Sequence, residues 1–367
     1  MHDGSTPEIR TKPGLDALPS APVGVLLVNT GTPRSAEVAD VRAYLRQFLS
    51  DPRVIDIHPV ARWLLLHLVI LPFRPAKSAA AYRAIWTPQG SPLLVNGRAF
   101  AANLQAALGP SAQVRVAMQF GVPSIPEALE GFAASGIDRI IVVPLFPQYA
   151  AASTGSAVAA VQAAASARWV VPQLHVIGAF WHEPAFLDAV AVQAQVALDA
   201  GPADHILFSY HGLPERHCRR TDATASHCLQ RPDCCDALVQ ANRHCYRAQC
   251  FATSRALIAR LGLDPAQVTT CFQSRLGRTP WIRPYTDEVL AEKGRAGVKR
   301  LVVVEPSFVA DCLETLEEIG IRGRDAFAAA GGGALVLAAA PNADAAWASG
   351  MAALLRRSCG WLTKDAR

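Results

Sequence analysis

Two short patterns recur in this chain, and together they leave few folds open to it. Val23–Pro33 reads VGVLLVNTGTP, an apolar β-branched run that breaks at a Gly-x-Pro turn, and the stretch beginning at His205, HILFSYHGLP, repeats that design. A second pair follows the same logic. RIIVVPLFPQY from Arg139 and RLVVVEPSFVA from Arg300 each run from a basic residue through a strand into an irregular loop. Strands that are apolar throughout, with helical stretches such as Glu37–Phe48 and Ser153–Ala167 between them, argue for parallel sheets covered on both faces. The two pairs are separated by unequal intervals, which fits two similar α/β halves carrying different insertions. The fold expected is therefore α/β, with two doubly wound parallel-sheet lobes and a cleft between them.

With 367 residues the chain exceeds one domain of roughly 100–200 residues. The expected organisation is a disordered tail over 1–22, an N-terminal lobe over 23–185, and a C-terminal lobe over 186–367 with a cysteine-rich insertion at 218–250. The tail is polar and proline-rich and has no apolar core of the kind a secretory signal needs, so the expected location is cytoplasmic. A net charge of +5 with scattered basic residues gives no reason to expect nucleic acid. RWLLLHLVILPFRP, from Arg62, is the most apolar stretch. It is shorter than the roughly 20 residues of a spanning helix and reads instead as an apolar lip near 60–75, suited to a flat greasy ligand or to peripheral membrane contact.

Three features carry chemistry. His211 closes a buried strand, and in open α/β sheets ligands bind outside the carboxyl ends of the strands. An imidazole there can exchange protons near neutrality. Glu314, Glu317 and Glu318, in DCLETLEEIG, share one helical face and, across a cleft from His211, suit proton removal and the handling of a hard divalent cation. Asp311 and Glu314 also have the spacing of a capping box, a purely structural alternative. The third feature is the insertion, which holds six of the nine cysteines: Cys218, Cys228, Cys234, Cys235, Cys245 and Cys250. Without a secretory signal, thiolate ligation of zinc or an iron–sulfur cluster is favoured over disulfides. Cys228, Cys235, Cys245 and Cys250 form the first candidate set, with Cys218 and Cys234 as alternates.

From Val23 onward the chain resembles the ferrochelatases, the enzymes that complete haem synthesis. LLVNTGTP, QGSPL with PLFPQYAAASTGS, SYHGLPER, and FQSRLGRTPW with FVADCLETLEEIG carry the likeness. The resemblance implies insertion of Fe(2+), as a substrate, into protoporphyrin IX, with coproporphyrin III as the alternative porphyrin. His211 and Glu314 fall on the family's two central positions and would meet the iron. Arg74 and Lys77 align with basic residues near the propionates, Ser274 with a propionate-side contact, and Tyr149 and Trp281 with pocket aromatics. The insertion resembles that of bacterial members with a [2Fe–2S] cluster. Gln119 and Phe120 depart from the more polar pair of many members, and Cys312 replaces a histidine of some relatives. A rival of another class is a non-catalytic iron–sulfur or tetrapyrrole-binding protein with His211 as an axial haem ligand.

Overall fold

The computed structural model describes residues 22–277 and 279–362. The expected tail, apart from its last residue, therefore lies outside the described residues. Among the described residues, eight strands form two separate four-stranded sheets, all parallel. The first contains β1 (Val23–Thr32), β2 (Ala112–Gly121), β3 (Arg139–Pro144) and β4 (Gln173–Val176), in the order β2-β1-β3-β4. The second contains β5 (His205–His211), β6 (Val268–Gln273), β7 (Arg300–Val304) and β8 (Ala334–Leu337), in the order β6-β5-β7-β8.

The two orders are the same motif repeated. Both strands that end in Gly-x-Pro turns are central, and both strands that begin with arginine lie beside them, with Gly24 opposite Ile140 and Ile206 opposite Val302. Strand order reverses at β1/β3 and at β5/β7, the switch points where a crevice opens outside the carboxyl ends. The sequence places its Gly-x-Pro turns and irregular loops at those ends.

The halves share one core. Trp347, on the C-terminal helix Ala345–Ser358, stacks on Phe100 of the helix Pro92–Leu108 at 5.7 Å and packs against Phe180 and Phe186. The last helix of the chain thus closes back on the first half.

The apolar lip is longer than its sequence suggests. Its helix runs continuously over Pro59–Ile85, 27 residues, and by length and composition is apolar enough to cross a membrane. The expectation of a run too short to span counted only the uninterrupted apolar letters. The helix is π-helical in its middle, Leu65–Ile70, and continues past Pro72, in the first turn of the α-helical segment that follows, and past Pro75 inside that segment. One face, with Leu66, Leu71, Ala79 and Tyr82, is buried alongside Tyr44 and Leu45 of the helix Val38–Ser50. The other exposes Val60, Trp63, Leu64, Leu68, Val69 and Phe73.

Candidate active site

A cleft of about 430 Å³ lies between the carboxyl ends of the two sheets, and His211, Glu314, Glu317 and Glu318 all line it. The last residue of β5 is His211. The following Gly212 has to be glycine, because a Cβ there would stand 2.6 Å from the carbonyl oxygen of Gln273 on β6. That close approach turns the chain and leaves the imidazole at the cleft. Its Nδ1 lies 2.7 Å from the Gly212 carbonyl oxygen. A carbonyl only accepts, so Nδ1 carries the proton, and in the neutral ring Nε2 keeps the lone pair. The main-chain N–H of His211 donates to Ser307 Oγ at 3.1 Å, and its ring leans on Phe308, with both partners coming from the loop after β7.

That loop leads into a π-helix, Glu314–Gly323, a form that recurs at functional sites. The capping-box alternative does not hold. The Asp311 carboxylate accepts from Asn342 Nδ2 at 2.7 Å and from the Thr315 hydroxyl at 3.0 Å, and no hydrogen bond joins it to Glu314. The site therefore leaves the Glu314 side chain available to the cleft. Gln273 fixes the start of the helix: its Nε2 donates to the Glu314 carbonyl at 2.9 Å, while its Oε1 accepts from Ser209 at 2.6 Å.

The three glutamates differ in their surroundings. Glu317 is held by Arg322 Nε at 2.8 and 2.9 Å. Glu318 accepts from the main-chain N–H and the hydroxyl of Ser274, at 2.8 and 2.7 Å. Burial raises the Glu318 carboxyl above its usual range, against the lowering effect of Ser274 and His211, and Glu314 raises it further. Behind them Glu305, directly after β7, is buried, and desolvation pushes its carboxyl well above the usual range. The strand-to-loop pattern of EPSF gives no sign of this, since its solvation is set by β5, β6 and the π-helix together.

Of the other expected contacts, Arg74 and Trp281 line the cleft. Trp281 is fixed by its indole N–H, which donates to the Leu276 carbonyl at 2.9 Å. Ser274 also lines it, with its hydroxyl committed to Glu318. Lys77 is exposed and is not among the lining residues, because the stripe that runs through Arg74 and Tyr82 leaves it to one side. Tyr149 faces away. Extended backbone turns Gln148 and Ala150 to the cleft and Tyr149 outward, to meet the ring of His244 at 6.1 Å. Aromatic walls come instead from Tyr44, Phe48, Tyr82, Phe146, Tyr246 and Phe308. Among the described arginines that line the cleft, Arg275 and Arg322 are paired with carboxylates and Arg74 is not. Gln119 donates to Asp51 away from the cleft, and Phe120 packs on Phe48.

In the insertion all six thiols are free and buried. Cys218, Cys228 and Cys235 neighbour Cys245, and together they hold its thiol far below the usual range. Cys250, of the expected set, lies beside the Tyr246 hydroxyl, and Cys218, an alternate, lies beside Cys245. Cys234 lies 3.8 Å from Cys235, sulfur to sulfur. Among the described residues, no set of three or more His, Cys, Asp or Glu side chains is arranged to hold a single metal ion.

Residues 22–359 match the family model described as Ferrochelatase. The chain belongs to the ferrochelatase family. It is 47% identical over 335 residues to a ferrochelatase of Azotobacter vinelandii, an alignment that covers 90% of this chain and 98% of that protein. A ferrochelatase of Coxiella burnetii is 44% identical over 336 residues, covering 92% and 94%. In fold, this ferrochelatase is similar to the sirohydrochlorin chelatase SirB of Bacillus subtilis subspecies spizizenii, solved with cobalt. That likeness has a TM-score of 0.50 at 12% identity and covers 92% of this chain and 96% of SirB.

Proposed function

We propose that this ferrochelatase, a lyase of haem synthesis, inserts Fe(2+) into protoporphyrin IX, with His211 and Glu314 facing the metal and the pyrrole nitrogens. The observation that carries the assignment of roles is the hydrogen bond of His211: with Nδ1–H committed to the Gly212 carbonyl, Nε2 is the ring nitrogen left for the cleft that His211 lines. Metallation requires the loss of two pyrrole protons. Nε2 accepts a proton, and Glu314, beside Glu318, whose carboxyl burial raises above its usual range, passes protons outward or receives the incoming cation. The apolar and aromatic walls suit a flat macrocycle, and Trp281 at the rim limits water.

The choice of protoporphyrin over coproporphyrin III rests on charge. One unpaired arginine on the cleft, Arg74, suits the two carboxylates of protoporphyrin better than the four of coproporphyrin. The experiment that tests this is anaerobic iron insertion with each porphyrin, compared by kcat/KM. Sustained haem formation with preference for protoporphyrin supports the reading. Preference for coproporphyrin overturns the substrate, and haem formation limited to one equivalent per chain overturns catalysis.

The insertion fits a [2Fe–2S] cluster held by Cys218, Cys228, Cys235 and Cys245. Four thiolates are the usual complement for that centre, and they are spread over two irons rather than round one ion. Iron insertion transfers no electrons, so the cluster would supply binding energy that orders a segment otherwise built from turns. Asp222, which accepts from the main-chain N–H groups of His227 and Cys228, and the buried Asn242 brace the same segment. The exposed face of the lip supports a cytoplasmic protein in peripheral contact with a membrane, where a greasy porphyrin partitions.

A further inference from the structure

Outside the cleft, a second open cavity of about 390 Å³ is lined by Arg42, Arg46, His67, Leu71 and Pro72. Arg42 and Arg46 are one turn apart on the helix Val38–Ser50, whose Tyr44 and Phe48 line the porphyrin cleft. That helix is therefore a wall with the cleft on one side and two guanidinium groups on the other. Arg42 spends its Nε on the Leu71 carbonyl at 3.3 Å, which aims the rest of its fork outward. Neither guanidinium is paired with a carboxylate. Both remain free for an anion.

The opposite side of this cavity is the lip helix. His67 donates Nδ1 to the Trp63 carbonyl at 3.0 Å and stacks on the Trp63 ring at 4.7 Å. Trp63, Leu68 and Phe73, on the same helix, are 55%, 60% and 77% exposed. Two unpaired arginines beside a row of exposed apolar side chains match the layered chemistry of a bilayer surface, phosphate above acyl chain, with tryptophan at the boundary.

Resting on the membrane contact proposed above, we infer that the Arg42–Arg46–His67 cavity binds the phosphate of an anionic phospholipid headgroup while the lip enters the acyl boundary. This site fixes orientation as well as affinity. An apolar lip alone can lie on a bilayer at many rotations, whereas a phosphate on the outer side of the Val38–Ser50 helix holds the cleft wall at a set angle to the surface.

The test uses the full-length protein and sedimentation with two kinds of vesicle, phosphatidylcholine alone and phosphatidylcholine mixed with phosphatidylglycerol. Wild type is expected to bind the mixed vesicles more tightly. Arg42→Gln and Arg46→Gln should each reduce that binding about fivefold, the equivalent of ~1 kcal/mol per basic residue at an anionic surface. Insertion of iron into detergent-dispersed porphyrin should not change. If the double variant binds mixed vesicles as wild type does, the headgroup site is wrong. Equal binding of wild type to both vesicles would leave membrane contact standing and overturn anion recognition. Failure of wild type to bind either vesicle overturns both readings. Self-association in vesicle-free buffer that the same substitutions abolish would assign the surface to a second copy of the chain.

Discussion

Arg216 grips Asp56 with Nε at 2.8 and 2.9 Å from the two carboxylate oxygens, while one of its terminal nitrogens also reaches Oδ1. Arg220 and His217 approach the same carboxylate, at 2.8 and 3.3 Å. Asp56 precedes the lip helix, and Arg216 follows His211 by one turn and a short helix start, so this cluster ties the lip to the loop of the proposed base.

Asp56→Asn should lower stability by about 2 kcal/mol, since a charge-assisted pair is replaced and the two guanidinium groups of Arg216 and Arg220 lose their partner. It should also raise KM for the porphyrin more than it lowers kcat, because the lip is then less firmly placed. Burial would raise the Asp56 carboxyl, but the hydrogen bonds from Arg216, with His217 close by, outweigh it and hold it below the usual range. A lowered folded-state pKa stabilises the native protein above the unfolded value of about 3.9. That contribution disappears as pH falls through the depressed value, so the difference between wild type and Asp56→Asn in chemical denaturation should shrink in acid.

His211→Ala should reduce iron insertion on the order of a hundred- to ten-thousandfold, the usual contribution of a general base, with porphyrin affinity nearly unchanged. Turnover at the wild-type level would end the assignment of Nε2 as base.

Glu314→Gln distinguishes chemistry from helix structure. Asp311 bonds to Thr315 and Asn342, so no capping box depends on Glu314, and the variant should melt within about 0.5 kcal/mol of wild type. Its turnover should nonetheless fall at least tenfold. Unchanged kcat with unchanged stability would remove Glu314 from the proton and metal route.

The cysteines give a spectroscopic prediction. Isolated without oxygen, the protein should be reddish with about two irons and two sulfides per chain, one [2Fe–2S] centre for four thiolates. Cys218→Ser or Cys245→Ser should abolish the colour and lower thermal stability. Cys250→Ser should keep both, since that thiol faces Tyr246. Loss of the centre in Cys250→Ser with its retention in Cys218→Ser would restore the set first drawn from the spacing. Zinc in place of iron would remove the cluster.

The sequence by itself determined the repeat, and with it the fold. VGVLLVNTGTP and HILFSYHGLP are both central strands because only apolar, β-branched runs tolerate burial on both faces of a parallel sheet. It also determined His211 as a strand-end residue, since Gly212 and Pro214 break the strand there. The glutamate face of the last motif was legible for the same reason of spacing.

Tertiary structure decided which neighbours each of these residues has. Tyr149 and Lys77 left the cleft because one step along an extended chain, or one off-stripe position on a helix, reverses what a side chain faces. Cys218 neighbours Cys245 because the insertion folds across to it, a long-range contact that no spacing encodes. The raised carboxyl of Glu305, the unpaired state of Arg74 and the hold of Arg216 on Asp56 are likewise properties of assembled surroundings: desolvation and pairing depend on residues far apart in the chain, and these meet only when the two sheets and the lip have closed around one cleft.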